Sequence, residues 1–383
     1  MPTISSRLPA VGTTIFTVMS QLATDTGAVN LGQGFPDFGI PDALAELLAR
    51  AVRDGRNQYA PMAGLLPLRE AIAEKTAARC GTRVDPAAEI TVTSGATEAI
   101  FNAILAVLHP DDEAIVLDPS YDSYEPGIQL AGGRCVHVPL RSSDFSVDWA
   151  RVRAAVTPRT RLIIVNTPHN PSGAVWQATD VAQLATLAEA HDLFVIADEV
   201  YEHIVFDGRR HESVLHSPAL ASRSFVISSF GKTYHCTGWK VGYCIAPPAL
   251  TAEFRKVHQY NTFATSTPAQ WAFCGMLRAH PEHHATLGAF YERKRDRFRG
   301  QLARTRLRPL AVGGSYFQLV DYSAISDLGD EAFARWLCTT HGVASIPLSP
   351  FYAAPPAGQR IVRLCFAKED DTLDAAIARL EIV

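Results

Sequence analysis

Short apolar runs alternate with amphipathic stretches between residues 90 and 247 of this chain. The runs ITVTS, EAIVLDP, RLIIVNTP, LFVIADEVY, SFVISSF and VGYCIAP are rich in β-branched residues and are bounded by turn-forming residues, which is typical of buried strands. Between them, ATEAIFNAILAVL and ATDVAQLATLAEAHD have the spacing of helices. This alternation predicts an α/β fold of βαβ units, with a mostly parallel sheet between helices and active-site groups at the strand ends.

The pattern changes after about residue 260. Helical stretches near 268–280 and 282–303 precede strand-like runs in SYFQLVDY, VASIPLS and RIVRLCFA, and a last helix is predicted near 370–381. This part of the chain is predicted to form a smaller α+β unit. The expected domains are an N-terminal arm with part of the small domain at 1–38, a large domain at 39–265 and a small C-terminal domain at 266–383.

Composition narrows the kind of partner. The 383 residues carry a formal net charge of −4, with no block of five or six like charges, which is against a nucleic-acid or anionic-membrane partner and favours small soluble substrates. There is no run of eighteen apolar residues and no apolar segment after a basic start, so we expect a cytoplasmic protein. The seven cysteines form no C-x-x-C pair, so neither a disulfide framework nor a metal site is expected.

Lys232 is the first candidate for chemistry. It lies in SSFGKTYHCTGWKVGY (228–243), where an apolar strand is predicted to run into a turn of small residues. A lysine at a strand end is a candidate for Schiff-base chemistry, because desolvation or a nearby cation lowers the pKa of the amine that must attack an aldehyde. Taken alone, such a lysine is more often a surface residue.

Two further polar segments follow strands. Asp198 ends the apolar run FVIAD, with Tyr201 three residues on. A carboxylate there is costly unless it meets a cation or donors, although it could also cap a helix. NTPHNPSG (166–173) would by itself indicate only a turn. Its Asn170 precedes Asp198 by 28 residues and Lys232 by 62.

A glycine joins strand and helix in VTSGATEAI (92–100). The backbone N–H groups of Gly95, Ala96 and Thr97 could bind a phosphate there, although Ser and Thr before an apolar helix are also ordinary caps. The segment is not a P-loop, since no G-K-[ST] follows. The next strand ends in DPSYDSYEP, whose Tyr121 and Tyr124 are either pocket residues or ordinary loop packing.

RIVRLCFAK places Arg363 in a β-rich run. A guanidinium on a buried strand needs an anionic partner, and its planar fork matches a carboxylate, either of a substrate or of a structural ion pair. Arg360 could face the same side. Near the N-terminus, the GxG of NLGQGFPDF does not indicate a dinucleotide fold, because Asp37 replaces the third glycine.

Together these segments resemble the class I/II (fold type I) aminotransferases, which depend on pyridoxal 5′-phosphate (PLP), over nearly the whole chain. The cofactor-lysine signature of that family is matched by Ser229, Lys232, Gly238, Lys240 and Gly242, and the other motifs occur in the family's order. The resemblance implies a large domain with a mostly parallel seven-stranded sheet between helices, plus a smaller α+β domain.

The resemblance also implies how PLP is bound. Lys232 would carry it as a Schiff base, Asp198 would pair with the pyridine nitrogen, and Tyr201 and Asn170 would bind the phenolic oxygen. Lys232, Asp198 and Tyr201 are thus the implied catalytic residues. The other implied cofactor contacts are Tyr121 on the ring face and, at the phosphate, Gly95, Ala96, Thr97, Ser229, Lys240 and Tyr59.

For the substrate, the resemblance implies that Arg363 grips the α-carboxylate. The other implied substrate contacts are Gly34, Phe16, Asn170 and Tyr121. Tyr59, in NQYAPM, would reach the phosphate of the neighbouring subunit, which implies a homodimer with shared active sites.

Within the class, GTTIFTVMSQLA, LGQGFPDF and NQYAPM are similar to bacterial methionine aminotransferases and, more distantly, to the kynurenine/glutamine transaminases. Phe16 and Tyr121 stand where the latter tend to have Trp and Phe, which is against kynurenine itself. The expected reaction moves the amino group of methionine, glutamine, an aromatic amino acid or histidine to a 2-oxo acid by a ping-pong mechanism. A kynurenine/glutamine transaminase and a cysteine-S-conjugate type PLP β-lyase are the alternatives.

Overall fold

The computed structural model describes residues 2–383. Its helices are α1 (Ile15–Thr26), α2 (Asp42–Arg53), α3 (Leu66–Cys80), α4 (Gly95–Val107), α5 (Tyr124–Leu130), α6 (Trp149–Ala155), α7 (Ala178–Ala190), α8 (Pro218–Ala221), α9 (Phe230–Thr233), α10 (Pro248–Asn261), α11 (Thr267–Ala279), α12 (Pro281–Leu302), α13 (Asp330–His341) and α14 (Asp370–Leu380). Its strands are β1 (Val29–Asn30), β2 (Ile90–Thr93), β3 (Glu113–Asp118), β4 (Arg134–Pro139), β5 (Thr160–Asn166), β6 (Phe194–Asp198), β7 (Ser224–Ser229), β8 (Gly242–Ile245), β9 (Arg308–Pro309), β10 (Phe317–Asp321), β11 (Val343–Ala344), β12 (Ile346–Pro347) and β13 (Ile361–Cys365).

The central sheet has seven strands in the order β2-β8-β7-β6-β5-β3-β4. Neighbouring strands pair in parallel except β8, which runs antiparallel to β2 and β7. The inner strands are buried almost throughout because both faces of the sheet are covered. The mostly parallel seven-stranded sheet expected from the sequence is therefore confirmed.

Successive residues of the central strands pack on opposite faces of the sheet. Along β6, Val195 and Ala197 join an apolar core that continues into the C-terminal part of the chain, whereas Ile196 joins a second core beneath α4 and α10. With both faces packed, the polar residues that follow the strands collect at the carboxyl edge of the sheet. The register there places Asn166 of β5 beside Asp198 of β6.

The C-terminal part of the chain forms an antiparallel four-stranded sheet in the order β12-β13-β10-β9, as the predicted α+β unit requires. The N-terminal segment joins this unit, because β1 pairs in parallel with β11 and α1 contacts α13. Helix α11 contacts α2 and α3, so the two predicted domains meet along it. The exact domain limits stay a prediction.

Some local elements differ from the sequence-based expectation. Lys232 lies in the four-residue helix α9 rather than in a plain turn. The strand β4 and the helix α10 were not predicted, because the polar residues of RCVHVP and of PALTAEFRKVHQYN obscure their apolar faces. Within residues 2–383, no helix combines the length and the apolar character needed to cross a membrane.

Candidate active site

A cavity of about 410 Å³ opens where β3, β5, β6 and β7 end, which is a volume typical of small-molecule sites. Every site residue predicted from the sequence lines this cavity except Tyr59. The predicted residues brought together are Phe16, Gly34, Gly95, Ala96, Thr97, Tyr121, Asn170, Asp198, Tyr201, Ser229, Lys232, Lys240 and Arg363. Tyr59 lies outside it, 84% exposed, with its ring edge-on to Phe263.

Lys232 projects into the cavity from α9, directly after β7. Its Nζ lies 3.4 Å from the carbonyl oxygen of Gly34 and 5.8 Å from the ring centroids of Tyr201 and Tyr316. The side chain keeps some exposure to the cavity, but the surrounding protein desolvates the ammonium. Burial therefore lowers the pKa of Lys232 to about 8, and the attraction of Asp198 offsets only part of this change.

Asp198 is the last residue of β6 and is only 5% exposed. The hydroxyl of Tyr124 donates to its Oδ2 at 2.6 Å, and the backbone N–H of Val200 donates to its Oδ1 at 3.3 Å. Burial raises the pKa of Asp198 to about 6, although these two hydrogen bonds and Lys232 act in the opposite direction. Tyr124 is therefore not ordinary loop packing: it holds the carboxylate of the site.

Asn166 is a lining residue that the sequence analysis missed. Its Nδ2 donates to the backbone oxygen of Asp198 at 2.8 Å, and its Oδ1 accepts from the backbone N–H of Asn170 at 2.8 Å. It thereby fixes the end of β6 to the loop that carries Asn170. Its position could have identified it from the sequence, because Asn166 is a polar residue at the end of an apolar strand.

Arg363 lies on β13 and is 1% exposed. Its Nη1 donates to Oδ1 of Asn170 at 2.8 Å and its Nη2 to the backbone oxygen of Gly32 at 3.0 Å, while its Nε has no partner among residues 2–383. Both recorded acceptors are neutral, and the guanidinium stacks 3.9 Å above the ring of Phe317. The buried guanidinium therefore has the capacity to bind an anion from the cavity.

Arg360, unlike Arg363, does not line the cavity. It precedes β13 and pairs with the exposed Asp327 at 2.9 Å, away from the cavity. The sequence-based expectation that it could face the same side is wrong, because the two arginines are three positions apart and strand side chains alternate with a period of two.

An anion site lies at the other end of the cavity. Gly95, Ala96 and Thr97 form the first turn of α4, where backbone N–H groups have no acceptor within the helix. Ser229 ends β7, and Lys240 brings a positive charge close to them. A Cβ built on Gly95 would lie 3.5 Å from Nζ of Lys240, so helix and ammonium approach closely. The N-terminus of α4 and the charge of Lys240 together favour the binding of a phosphate group.

Other lining residues also escaped the sequence analysis, among them Asp122, Phe317 and Thr237. Asp122 is next to Tyr121 in the loop after β3 and adds a carboxylate to the mouth of the cavity. Phe317 is on β10, which pairs with the strand of Arg363. Of these residues, only Asp122 could have been predicted from the sequence, because it adjoins the predicted site residue Tyr121. Phe317 could not, because it reaches the cavity only through the pairing of β10 with β13.

A model of the family described as aminotransferase class I and II matches residues 26–380 of the chain. The match spans both sheets and the strand ends around the cavity, so the chain belongs to aminotransferase class I and II, as its motifs predicted.

Among individual proteins, the chain is similar to the methionine aminotransferase of Escherichia coli (strain K12), with 54% identity over 375 residues covering 98% of this chain and 97% of the relative. A crystal structure of an Escherichia coli protein, reported with a methionine aminotransferase function, has a TM-score of 0.97, 54% identity and 100% coverage of both chains. A probable N-succinyldiaminopimelate aminotransferase of Mycobacterium tuberculosis is 41% identical over 389 residues, covering 99% and 98%. Mammalian kynurenine–oxoglutarate transaminases match at 32–34%, so the predicted likeness to both groups is confirmed.

Proposed function

We propose that this aminotransferase uses PLP, held in the cavity and attached through Lys232. The observation that carries the proposal is that Lys232 and Asp198 line the same cavity. Burial lowers the pKa of Lys232 to about 8 and raises the pKa of Asp198 to about 6. A protonated ring nitrogen beside Asp198 would relieve the cost of its buried charge. The donors at the start of α4, with Ser229 and Lys240, suit the phosphate. The donor set therefore fits PLP at both ends.

When bound, PLP supplies an electron sink for the pair left on the substrate Cα as its proton leaves. The side chains have separate tasks. Nζ of Lys232, which is mostly neutral above pH 8, takes the proton from Cα. Asp198 would keep the ring nitrogen protonated, and the hydroxyl of Tyr124 fixes the orientation of that carboxylate. Tyr201 and Asn170 would hydrogen-bond the phenolic oxygen, and the ring of Tyr121 would pack on the cofactor face.

Arg363 is the proposed receptor for the substrate α-carboxylate. Its charge is buried among aromatic rings and its recorded hydrogen bonds go to neutral oxygens, so an incoming carboxylate would provide the missing countercharge. Gly34 leaves room in front of it, since a Cβ at that position would lie 2.9 Å from the ring of Phe317. Substrate amino acids and 2-oxo acids would share this anchor, as a ping-pong exchange in a single site requires.

We further propose methionine as the preferred amino donor, with glutamine, phenylalanine and histidine as other donors. The methionine aminotransferase named above supports this choice. The cavity walls include the rings of Phe16, Phe35 and Phe317, and sulfur–aromatic contacts contribute about 0.3–1.5 kcal/mol each. The lining cations, Lys232, Lys240 and Arg363, all have roles already, so a second substrate carboxylate would be desolvated without a partner.

A half-reaction tests the activity directly. PLP-loaded enzyme mixed with methionine alone should release one equivalent of 2-oxo acid per subunit and then stop until a second 2-oxo acid is added. Continuous release of ammonia and an oxo acid from a β-substituted amino acid would instead identify a β-lyase. An absorption spectrum unchanged by methionine in the PLP-loaded enzyme would contradict the proposal.

The donor preference is tested by comparing kcat/KM for methionine and aspartate at one 2-oxo acid concentration. Methionine should be favoured by several orders of magnitude. Asp122→Asn should narrow the gap by raising kcat/KM for aspartate, because the variant removes a like charge from the cavity mouth. Asp111→Asn, at a carboxylate 82% exposed and outside the cavity, is the matched control and should change neither value. A wild-type preference for aspartate would contradict the assignment.

We also propose a homodimer in which Tyr59 serves the neighbouring subunit's site, working in the cytoplasm on small soluble substrates. Two exposed aromatic side chains support the dimer, since Tyr59 is 84% exposed and Tyr260 is 90% exposed. Tyr59 also lies outside the cavity of its own chain, as a residue that serves a neighbouring subunit would.

A further inference from the structure

A cluster of buried charges lies behind the cavity and takes no part in the chemistry proposed above. We call it the Glu202 cluster, formed by Glu202, Lys75, Arg79, Ser228 and Tyr243. One oxygen, Oε1 of Glu202, accepts from Nζ of Lys75 at 2.7 Å, from Oγ of Ser228 at 2.6 Å and from the hydroxyl of Tyr243 at 2.9 Å. Arg79 donates to the backbone oxygen of the same residue.

The members of the cluster come from four separate elements. Lys75 and Arg79 are on α3, Ser228 on β7, Tyr243 on β8, and Glu202 in the turn that follows β6. The side chains of Lys75 and Glu202 are only 7% and 10% exposed, and none of the five residues lines the cavity. A single carboxylate thus ties together elements that are distant in sequence.

Two of those elements carry the proposed PLP contacts. The turn after β6 begins directly after Asp198 and includes Tyr201, one residue before Glu202. Ser228 is followed by Ser229, and Lys232 lies one turn further on in α9. The hydrogen bond between Ser228 and Glu202 therefore joins the segment that holds the ring of PLP to the segment that holds its phosphate and its lysine.

The charge of Glu202 is maintained although the residue is buried. Burial alone would favour the neutral acid, but the charges of Lys75 and Arg79 hold the pKa of Glu202 well below its usual range. Replacing the carboxylate by an amide would leave the buried ammonium of Lys75 without its countercharge, so the surrounding segments would have to move or admit water.

We propose that Glu202 and Lys75 are positioning residues, which set the separation between the turn after β6 and the end of β7 and thereby align the two halves of the PLP site. The inference rests on the proposed function, since the two segments hold one ligand only in that assignment. A misplacement of about 1 Å between groups that act on the same substrate can reduce rate about a hundredfold. Loss of the cluster should therefore weaken both PLP binding and turnover.

Glu199 provides a matched control for general destabilisation. It lies in the same turn, is 3% exposed, and has its own hydrogen bonds from His211 at 2.8 Å, Ser213 at 3.0 Å and the N–H of Val214 at 3.0 Å. Those partners lie in a loop that does not line the cavity. Glu199→Gln thus disturbs an equally buried carboxylate on the same turn without releasing the contact to β7.

The experiment compares Glu202→Gln, Glu199→Gln and wild type. For each, the dissociation constant of PLP is measured by titrating the apoenzyme, the absorption maximum of the bound cofactor is recorded, Tm is measured by calorimetry, and kcat and KM are determined at saturating PLP. Glu202→Gln should weaken PLP binding about tenfold or more, shift the absorption maximum and lower kcat more than it changes KM. Glu199→Gln should leave the PLP dissociation constant and kcat within about twofold of wild type at a comparable loss of Tm.

Equal PLP affinity and equal kcat in the two variants at matched Tm would overturn the proposal and leave the cluster a purely structural feature. If Glu202→Gln does not fold, Ser228→Ala decides, because it removes the hydrogen bond that joins Glu202 to β7 and leaves the carboxylate paired with Lys75. Unchanged PLP affinity and kcat in that variant would also overturn the proposal. Failure of wild type to attach PLP at Lys232 is a different result, which contradicts the proposed function itself.

Discussion

Lys232 and Asp198 show how burial changes two ordinary side chains in complementary directions. Desolvation disfavours the charged form of each, so the pKa of the amine falls to about 8 while that of the carboxyl rises to about 6. Each group then gains from a partner that only a ligand can supply. The amine needs a carbonyl to attack, and the carboxylate needs a cation, and PLP offers both in one molecule.

The first prediction concerns the pH dependence of PLP attachment. Attack on the aldehyde requires the neutral amine, and since the pKa of Lys232 is lowered, the neutral fraction rises through about pH 8 rather than near pH 10. The rate of covalent PLP capture by the apoenzyme, followed by absorbance in a stopped-flow instrument, should therefore increase between pH 7 and pH 9 and then level off. Lys232→Ala should show no capture at any pH and no multiple turnover. Borohydride labelling of a different lysine in wild type would refute the assignment.

The second prediction concerns Asp198. Asp198→Ala should reduce kcat by about 10²–10³, because the ring nitrogen loses the carboxylate that keeps it protonated. Tyr124→Phe should have a smaller effect, since the hydrogen bond from Tyr124 helps to keep that carboxylate ionised but does not replace it. Steady-state kinetics at saturating PLP measure both. Normal turnover in Asp198→Ala would remove this residue from the mechanism.

At this scale the sequence allowed residues beside a motif to be predicted, but not contacts between distant segments. Asp198 could be inferred from its place at the end of an apolar strand. Its partner Tyr124 could not, because the contact spans 74 residues of chain and depends on the first residue of α5 meeting the last residue of β6. The same holds for Lys75 and Glu202, which are 127 residues apart.

At the scale of elements, the site is a property of strand ends. The strands β5, β6 and β7 are parallel neighbours, and their last residues, Asn166, Asp198 and Ser229, all reach the cavity. The apolar runs were sufficient to predict six of the seven strands, because buried parallel strands are nearly continuous apolar segments, whereas β4 at the edge is only partly buried and was missed. The two-residue pairing of β1 with β11 was not predictable, since so short a strand has no periodicity of its own.

The third prediction concerns the start of α4. Gly95 has φ +80°, and a Cβ there would lie 3.4 Å from Cε of Lys240. Gly95→Ala should weaken PLP binding severalfold, because a side chain is strained at this φ and the strain falls on the turn whose N–H groups would face the phosphate. Gly81→Ala is the control: its φ of +70° carries similar strain, about 1–2 kcal/mol, but Gly81 caps the end of α3 and does not line the cavity. Titration with PLP should separate the two variants, and equal affinities would show that the conformation of Gly95 does not matter for PLP binding.

At the scale of the whole molecule, the cavity combines segments from both ends of the chain. Phe16 and Gly34 come from the N-terminal segment, Lys232 from α9 directly after the central sheet, and Arg363 from the C-terminal sheet. The substrate anchor and the catalytic amine thus belong to different units. The proposed dimer would add a contribution from a second chain through Tyr59, which no property of the single chain could specify beyond its exposure.

The last prediction tests that arrangement by complementation. Lys232→Ala subunits lack the catalytic amine, and Tyr59→Asp subunits would place a negative charge against the neighbour's phosphate, so each homodimer should be inactive. In a mixed dimer with shared sites, one site has both defects and the other has neither. An equal mixture after subunit exchange should therefore recover about a quarter of the wild-type activity, since half of the dimers are mixed and each has one intact site. Mixing Lys232→Ala with a double variant carrying both changes is the control and should recover nothing. Exchange verified by mass spectrometry without any recovery would mean that Tyr59 acts within its own subunit, whereas an active Tyr59→Asp homodimer would mean that Tyr59 serves no site.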